Sequence, residues 1–415
     1  MKKIYFAFVL FYSISNAQVK ILFDVTKAEM VGSADWVIDA DAHNIFFNST
    51  THIPYTSNGA GASNPQKIPT PAQSGITAST AETYWDGALS YWAVDCAKKG
   101  YIVESLPYNG QITYGNTSNL QDLSNYKVFV IDEPNSLFSA AEKTAIMNFV
   151  YNGGGLCMIA DHTGSDRNYD GSDSLQVWND LMNSNTVQTN PFGFSFDSVD
   201  ISQTTSAVAN LPTNPILHGT AGNVTQAKWS NGTTMTLNSA QNSSVLGLIF
   251  KTGSSTTGTT NVMVASATFH NGKVVSIGDS SIADDATGDP NDTLYNGYIT
   301  DANGNHQKLL MNATIWLATP TLNTNSFTAP NINLTVTPNP IQNNELKINF
   351  ITETEEPIMI SISDSLGRVI YTTKFDENEL GMNAKTIPLY NLNSGVYFCR
   401  ITNSEKVACQ RFIVK

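Results

Sequence analysis

The chain has 415 residues and a formal charge of −13, with 14% of its residues charged. That length holds one large domain and one small one, and the acidic balance argues against nucleic acid, anionic lipid or polyanionic substrates as partners unless bound cations intervene. A neutral substrate, or a site occupied by divalent cations, fits better.

The first residues carry an address. Lys2 and Lys3 precede an apolar run from Ile4 to Ile14, and Ser15, Asn16 and Ala17 supply small residues before Gln18, the pattern of a secretory signal peptide over 1–17. The run is too short to cross a bilayer and no later stretch is long enough, so no membrane span is expected. Losing Lys2 and Lys3 takes the mature chain to −15. Four cysteines are too few for a disulfide framework at this length. Cys96 and Cys157 read as small core hydrophobes. Cys399 and Cys409, on the two strands of the last hairpin, are placed to form an oxidised pair, which a single register slip would prevent.

Val19 to Val25 is a first buried strand with Asp24 near its end. The polar excursion from Lys27 to Ala78, with Trp36, His43 and His52, is long for a loop and is expected to fold partly over the sheet edge as a lid. Ser79-Thr80-Ala81-Glu82 is a capping box for a helix carrying Trp85, Trp92 and Cys96 to Gly100. Tyr101 to Leu106 and Lys127 to Ile131 are the next strands, the latter followed by Asp132-Glu133-Pro134-Asn135. A second capping box, Ser139 to Glu142, opens a helix that runs to Gly153. Strands alternating with helices in this way predict a parallel sheet with right-handed crossovers.

Gly153-Gly154-Gly155 then leads into a short buried strand, Leu156 to Ala160, and an abrupt polar turn, Asp161-His162-Thr163-Gly164. Ligands of an open parallel sheet gather beyond the carboxyl ends of its strands, where Asp161 and His162 are expected. Asp166-x-Asn168-x-Asp170-Gly171 has the alternating oxygen spacing of a calcium loop, with Val177 where a bidentate Glu would stand and Asp173 as a substitute. Residues 186–260 give turns with short strands near 234–237 and 245–250. Val262 to Phe269 and Lys273 to Ile277 form a hairpin ending in Gly278-Asp279. An acidic stretch with Asp284, Asp285, Asp289, Asp292 and Asp301 precedes a helix from His306 that Pro320 ends.

Residues 320–333 read as a linker. From 334 to 415 six short alternating strands, starting at Leu346, describe a small all-β sandwich. Pro338-Asn339-Pro340, Ile360 to Asp364 with Gly367-Arg368-Val369, Leu392 to Phe398 and Gln410 to Lys415 together resemble the type A C-terminal sorting domain of the type IX secretion system. That resemblance implies recognition by the type IX secretion machinery, passage across an outer membrane, and release or surface attachment.

The segment from Lys127 to Thr163, with Asn214 to Gly219, Gly272 to Asp279 and Leu309 to Ala318, resembles the class I glutamine amidotransferase-like superfold, nearest its trehalose-utilisation (ThuA-like) branch. The resemblance implies a flavodoxin-like, doubly wound α/β domain with a mostly parallel sheet over 18–319. The family's nucleophilic cysteine is missing from the turn Ile159 to Gly164, so glutaminase chemistry is not expected.

The acidic clusters lead to the expectation of an exported, divalent-cation-dependent hydrolase, and export with the sugar associations of the resembled branch implies a glycan or related polymer as its substrate. Asp161, His162 and Asp279 are the catalytic candidates, and Asp24, Glu133, Trp36 and His306 would contact substrate. Asp166, Asn168, Asp170, Asp173, Asp284 and Asp285 would hold calcium or a similar cation. The competing reading is a non-catalytic carbohydrate-binding or cell-surface protein with a structural calcium. Each acid also has an ordinary role as a turn or helix cap, and His306 as a structural imidazole.

Overall fold

The computed structural model describes residues 18–320 and 334–414, except 32–33, 40–46, 53–70, 289–294, 302–303, 343, 353–355, 366, 377–378, 390–391 and 404–406. The signal peptide, most of the linker, the greater part of the expected lid, Asp289 and Asp292 lie outside these residues. The chain divides into two compact units between residues 321 and 322.

In the first unit, β1 (Lys20–Asp24), α1 (Ser90–Lys98), β2 (Ile102–Leu106), β3 (Val128–Asp132), α2 (Ala140–Tyr151) and β4 (Gly155–Ile159) follow in turn. After α3 (Ser174–Asn183) come β5 (Phe194–Phe196), β6 (Ile201–Thr205), β7 (Ala227–Gly232), β8 (Met235–Leu237), β9 (Leu246–Phe250), β10 (Val262–Phe269), β11 (Gly272–Ile277) and α4 (His306–Ala318). The main sheet runs β2-β1-β3-β4-β11-β10-β8-β5, with β9 also paired to β10. The five strands from β2 to β11 are mutually parallel, and β10 turns the sheet antiparallel. Their near-continuous apolar runs, buried along almost their whole length, are what two covered faces require.

Register sets the site. Asp132 stands opposite Ile159, and Ile159 opposite Ile277. The polar residues just past these positions, Glu133, Asp161 and Asp279, therefore share one edge. Below them, Trp92 meets Phe23 edge-on at 5.4 Å and donates its indole N–H to Thr314. Trp178 of α3 donates to the carbonyl of Ile159, which anchors the strand end at 2.8 Å. Gly272 closes the hairpin where no other residue fits, since a Cβ there would lie 2.0 Å from the Val150 carbonyl oxygen.

The second capping box forms as the sequence indicates, with Ser139 and Glu142 satisfying each other's backbone amides. The first does not. Only a 3₁₀ turn, Glu82–Tyr84, follows Ser79, and α1 begins at Ser90. Residues 85–89 are instead drawn onto residue 37, with Leu89 N–H donating to the Val37 carbonyl and Gly87 too close to that oxygen for a side chain. The α1 N-terminus is satisfied from far along the chain, because Asp285 accepts from Ser90 Oγ and the Tyr91 amide.

The second unit contains β12 (Thr335–Gln342), β13 (Glu345–Thr352), β14 (Ile358–Asp364), β15 (Val369–Phe375), β16 (Gly381–Pro388), β17 (Gly395–Thr402) and β18 (Val407–Val414). They form one sheet in the order β15-β14-β17-β18-β12-β13-β16 rather than two separate sheets. Leu346, Ile348 and Phe350 of β13 share a core with Ile358, Ile360 and Ile362 of β14, so the sheet curls over on itself. The strand β12 is absent from the sequence reading because Pro338 and Pro340 remove ladder donors. Cys399 stands opposite Gln410 and Cys409 opposite Arg400, which puts the two thiols on opposite faces. One is buried, the other exposed, and both are free, so the suggested disulfide is corrected.

Candidate functional site

Glu133 occupies the turn that follows β3. Glu133 takes a left-handed φ of 47° and is fully buried, and its amide donates to the Ile159 carbonyl. Holding a non-glycine residue there costs on the order of 1–3 kcal/mol and persists only where the surroundings impose it. The surroundings are three donors from three segments: Trp36 Nε1 and Ser280 Oγ, each 3.0 Å from Oε2, and Arg167 Nε, 2.8 Å from Oε1. Arg167 extends its other arm to Asp161, with Nη2 2.7 Å from Oδ2, so one guanidinium bridges two buried carboxyls.

Asp161 is 3% exposed. Burial, then the charges of Glu133 and Asp279, push its carboxyl well above the usual range, with Arg167 opposing them. His162, next to it, is partly exposed. Its Nδ1 lies 2.8 Å from the Thr163 carbonyl, and its Nε2 lies 3.8 Å from Asp161 Oδ2, beyond hydrogen-bond reach. Asp279 accepts from the Ser230 and Ser281 amides, yet burial outweighs both and pushes it up to about 7. Asp132, the last residue of β3, is raised well above the ordinary range by burial and by Glu133, Asp279 and Asp284.

Asp161, His162, Glu133, Trp36 and Asp279 thus come together at one edge. Asp24 sits on β1, two strands from β4, in a pair of its own. It accepts from Thr26, and burial raises it to about 6. Beside it Glu29 is pushed well above the usual range by burial and by the Asp24 charge, and its Oε1 has no hydrogen-bond partner among the described residues. His306 is buried with both ring nitrogens engaged. Nδ1 lies 2.9 Å from the Gly297 carbonyl and Nε2 accepts from the Lys228 amide, the environment of a neutral structural imidazole.

The 166–173 turn spends its acids on its own backbone. Asp166 accepts from the amides of Asp170 and Gly171, Asp170 from Ser172, and Asn168 donates to Asp170 and Ser136. Asp173 caps α3 and accepts from Gly164. Asp285 caps α1, and Asp284 accepts from the Ala286 amide. Among the described residues no three His, Cys, Asp or Glu side chains are grouped to hold a metal ion.

Asp132, Ser280 and Arg167 were not among the site candidates chosen from the sequence. Asp132 and Ser280 are neighbours of residues that were noted. Arg167 had a signal of its own, as the sole arginine before residue 368 in a markedly acidic chain.

Residues 335–415 match the family model described as the secretion system C-terminal sorting domain. The chain is thus exported by the type IX secretion system and is secreted or attached to the cell surface. No curated protein matches it. Among solved structures it is similar to the mmIFT52 N-terminal domain, at 13% identity and a TM-score of 0.40, over 73% of this chain and 99% of that one. It is also similar to PorZ, a surface component of the type-IX secretion system of Porphyromonas gingivalis, at 22% identity and a TM-score of 0.17, over 20% of this chain and 11% of that one. A Parabacteroides merdae beta-glucuronidase matches at 15% identity and a TM-score of 0.16, over 21% of this chain and 13% of that one.

Proposed function

We propose that the N-terminal unit is an exported hydrolase of a neutral glycan or related polymer, built on a flavodoxin-like domain of the glutamine amidotransferase-like kind without its thiol. The observation that carries this reading is the buried Glu133–Asp161 pair, bridged by Arg167 at the carboxyl edge of a parallel sheet. Donors from three segments fix the orientation of the Glu133 carboxyl at the edge, and the surroundings of Asp161 favour its protonated form. In the proposed step Glu133 takes a proton from the attacking water and Asp161 gives its own to the leaving oxygen, so the bond is cleaved with net addition of one water. Arg167 and His162 are the solvent-facing members of the group, with side chains 23% and 21% exposed. Closing the 3.8 Å gap between His162 Nε2 and Asp161 Oδ2 would let the imidazole return the proton to Asp161, and Asp279 adjusts the field at the pair. The acidic chain favours an uncharged polymer over an anionic one.

The test is a hydrolysis screen of neutral polysaccharides with the purified mature chain. Asp161→Asn and His162→Ala should lose product release while keeping the fold, and full activity in both would remove these residues from the mechanism.

A second reading keeps the export and drops the chemistry, making the unit a glycan-binding surface protein with calcium in the 166–173 turn. It is favoured by Gly171, which adopts φ 93° and donates to Asp166, a turn of the type calcium loops use. Retention on glycan columns with calcium bound and no product released would select it.

A further inference from the structure

Five acids are buried at the rim: Asp132, Glu133, Asp161, Asp279 and Asp284. Arg167 engages two of them, and Asp279 has a backbone amide on each oxygen. Asp132 differs. It is 1% exposed, and among the described residues neither of its carboxyl oxygens has a hydrogen-bond partner. The fields of Glu133, Asp279 and Asp284 act on it, so it faces the acidic group.

Neither protonation state of Asp132 alone is satisfactory. As an acid it keeps an O–H without an acceptor. As a carboxylate it keeps two oxygens without donors, among like charges. A cation resolves both, because it uses the two oxygens and offsets the surrounding charge. We propose that Asp132 anchors a hard divalent cation, magnesium or calcium, at this rim. Asp284, whose charge bears on Asp132 and which also accepts from the Ala286 amide, is the second carboxylate. No group of three acids is present among the described residues, so carbonyl oxygens and solvent complete the shell, an arrangement magnesium commonly accepts. The site is separate from the 166–173 turn and stands whether or not the protein is a hydrolase.

The test is metal binding by the full mature chain. After chelator treatment, magnesium and calcium are titrated by calorimetry, and bound metal is counted by mass spectrometry after dialysis. Wild type should retain a cation that Asp132→Asn binds at least tenfold more weakly. The Asp166→Asn/Asp170→Asn double variant should keep it. Asp132→Asn should also melt higher than metal-free wild type and lose the cation-induced rise. Should Asp132→Asn fail to fold, Asp284→Asn replaces it with the same expectation. No cation taken up by wild type, or binding unchanged in the anchoring variant, overturns the proposal.

Discussion

Replacing Arg167 with Gln removes the guanidinium between two buried carboxyls while keeping a polar side chain of similar reach. Breaking a fully buried ion pair by deleting one partner costs about 3–5 kcal/mol, and the partial exposure of Arg167 reduces this to about 2–4 kcal/mol. At roughly 2–4 °C per kcal/mol for a domain of this size, the melting temperature near neutral pH should fall by about 4–16 °C. The loss should shrink as pH drops, because protonated carboxyls no longer need the cation. Asp161→Asn combined with Arg167→Gln should recover part of the loss, since less unpaired charge remains buried. Calorimetric melting of the four proteins at about pH 4 and about pH 8 checks this. A variant within about 0.5 kcal/mol of wild type, or a loss equal at both pH values, would refute the reasoning.

The Asp24–Glu29 pair should make stability fall with rising pH. Burial raises Asp24 in the folded state to about 6 from an ordinary 3.8, so its contribution is fully present below 3.8 and is lost as pH rises through about 6. Asp24→Asn should flatten that slope, worth about 3 kcal/mol at most, in chemical denaturation across the range. Gly272→Ala should destabilise by roughly 1–3 kcal/mol through its clash with the Val150 carbonyl, read as a shifted denaturant midpoint. Of the four cysteines only Cys409 is exposed, so a thiol reagent should label one site quickly in the folded chain and all four after denaturation. Loss of two titratable thiols would mean that Cys399 and Cys409 pair after all.

The parallel strands were legible because their apolar runs are bounded by glycines and capping boxes, and because Asp24, Asp161 and Asp279 follow directly on those runs. The late start of α1 was not, since its cap comes from Asp285, nearly two hundred positions away. The Arg167 bridge was hidden at much shorter range, 34 positions from Glu133 and 6 from Asp161. An arginine in a polar loop looks like any surface charge until the fold brings Glu133 and Asp161 beside it. The 166–173 turn shows the opposite case. Its spacing is visible in the sequence, but where its oxygens point depends on whether backbone amides or a cation reach them first. The strands over 194–232 escaped because short stretches such as Phe194–Phe196 carry too few residues to establish a period.

The most direct test of the central claim is product release from neutral polysaccharides by wild type and Glu133→Gln, compared at matched fold by circular dichroism. A carboxyl pair acting as acid and base predicts hydrolysis by wild type and a loss of at least a hundredfold in the variant. Hydrolysis that persists unchanged without the Glu133 carboxylate would contradict it.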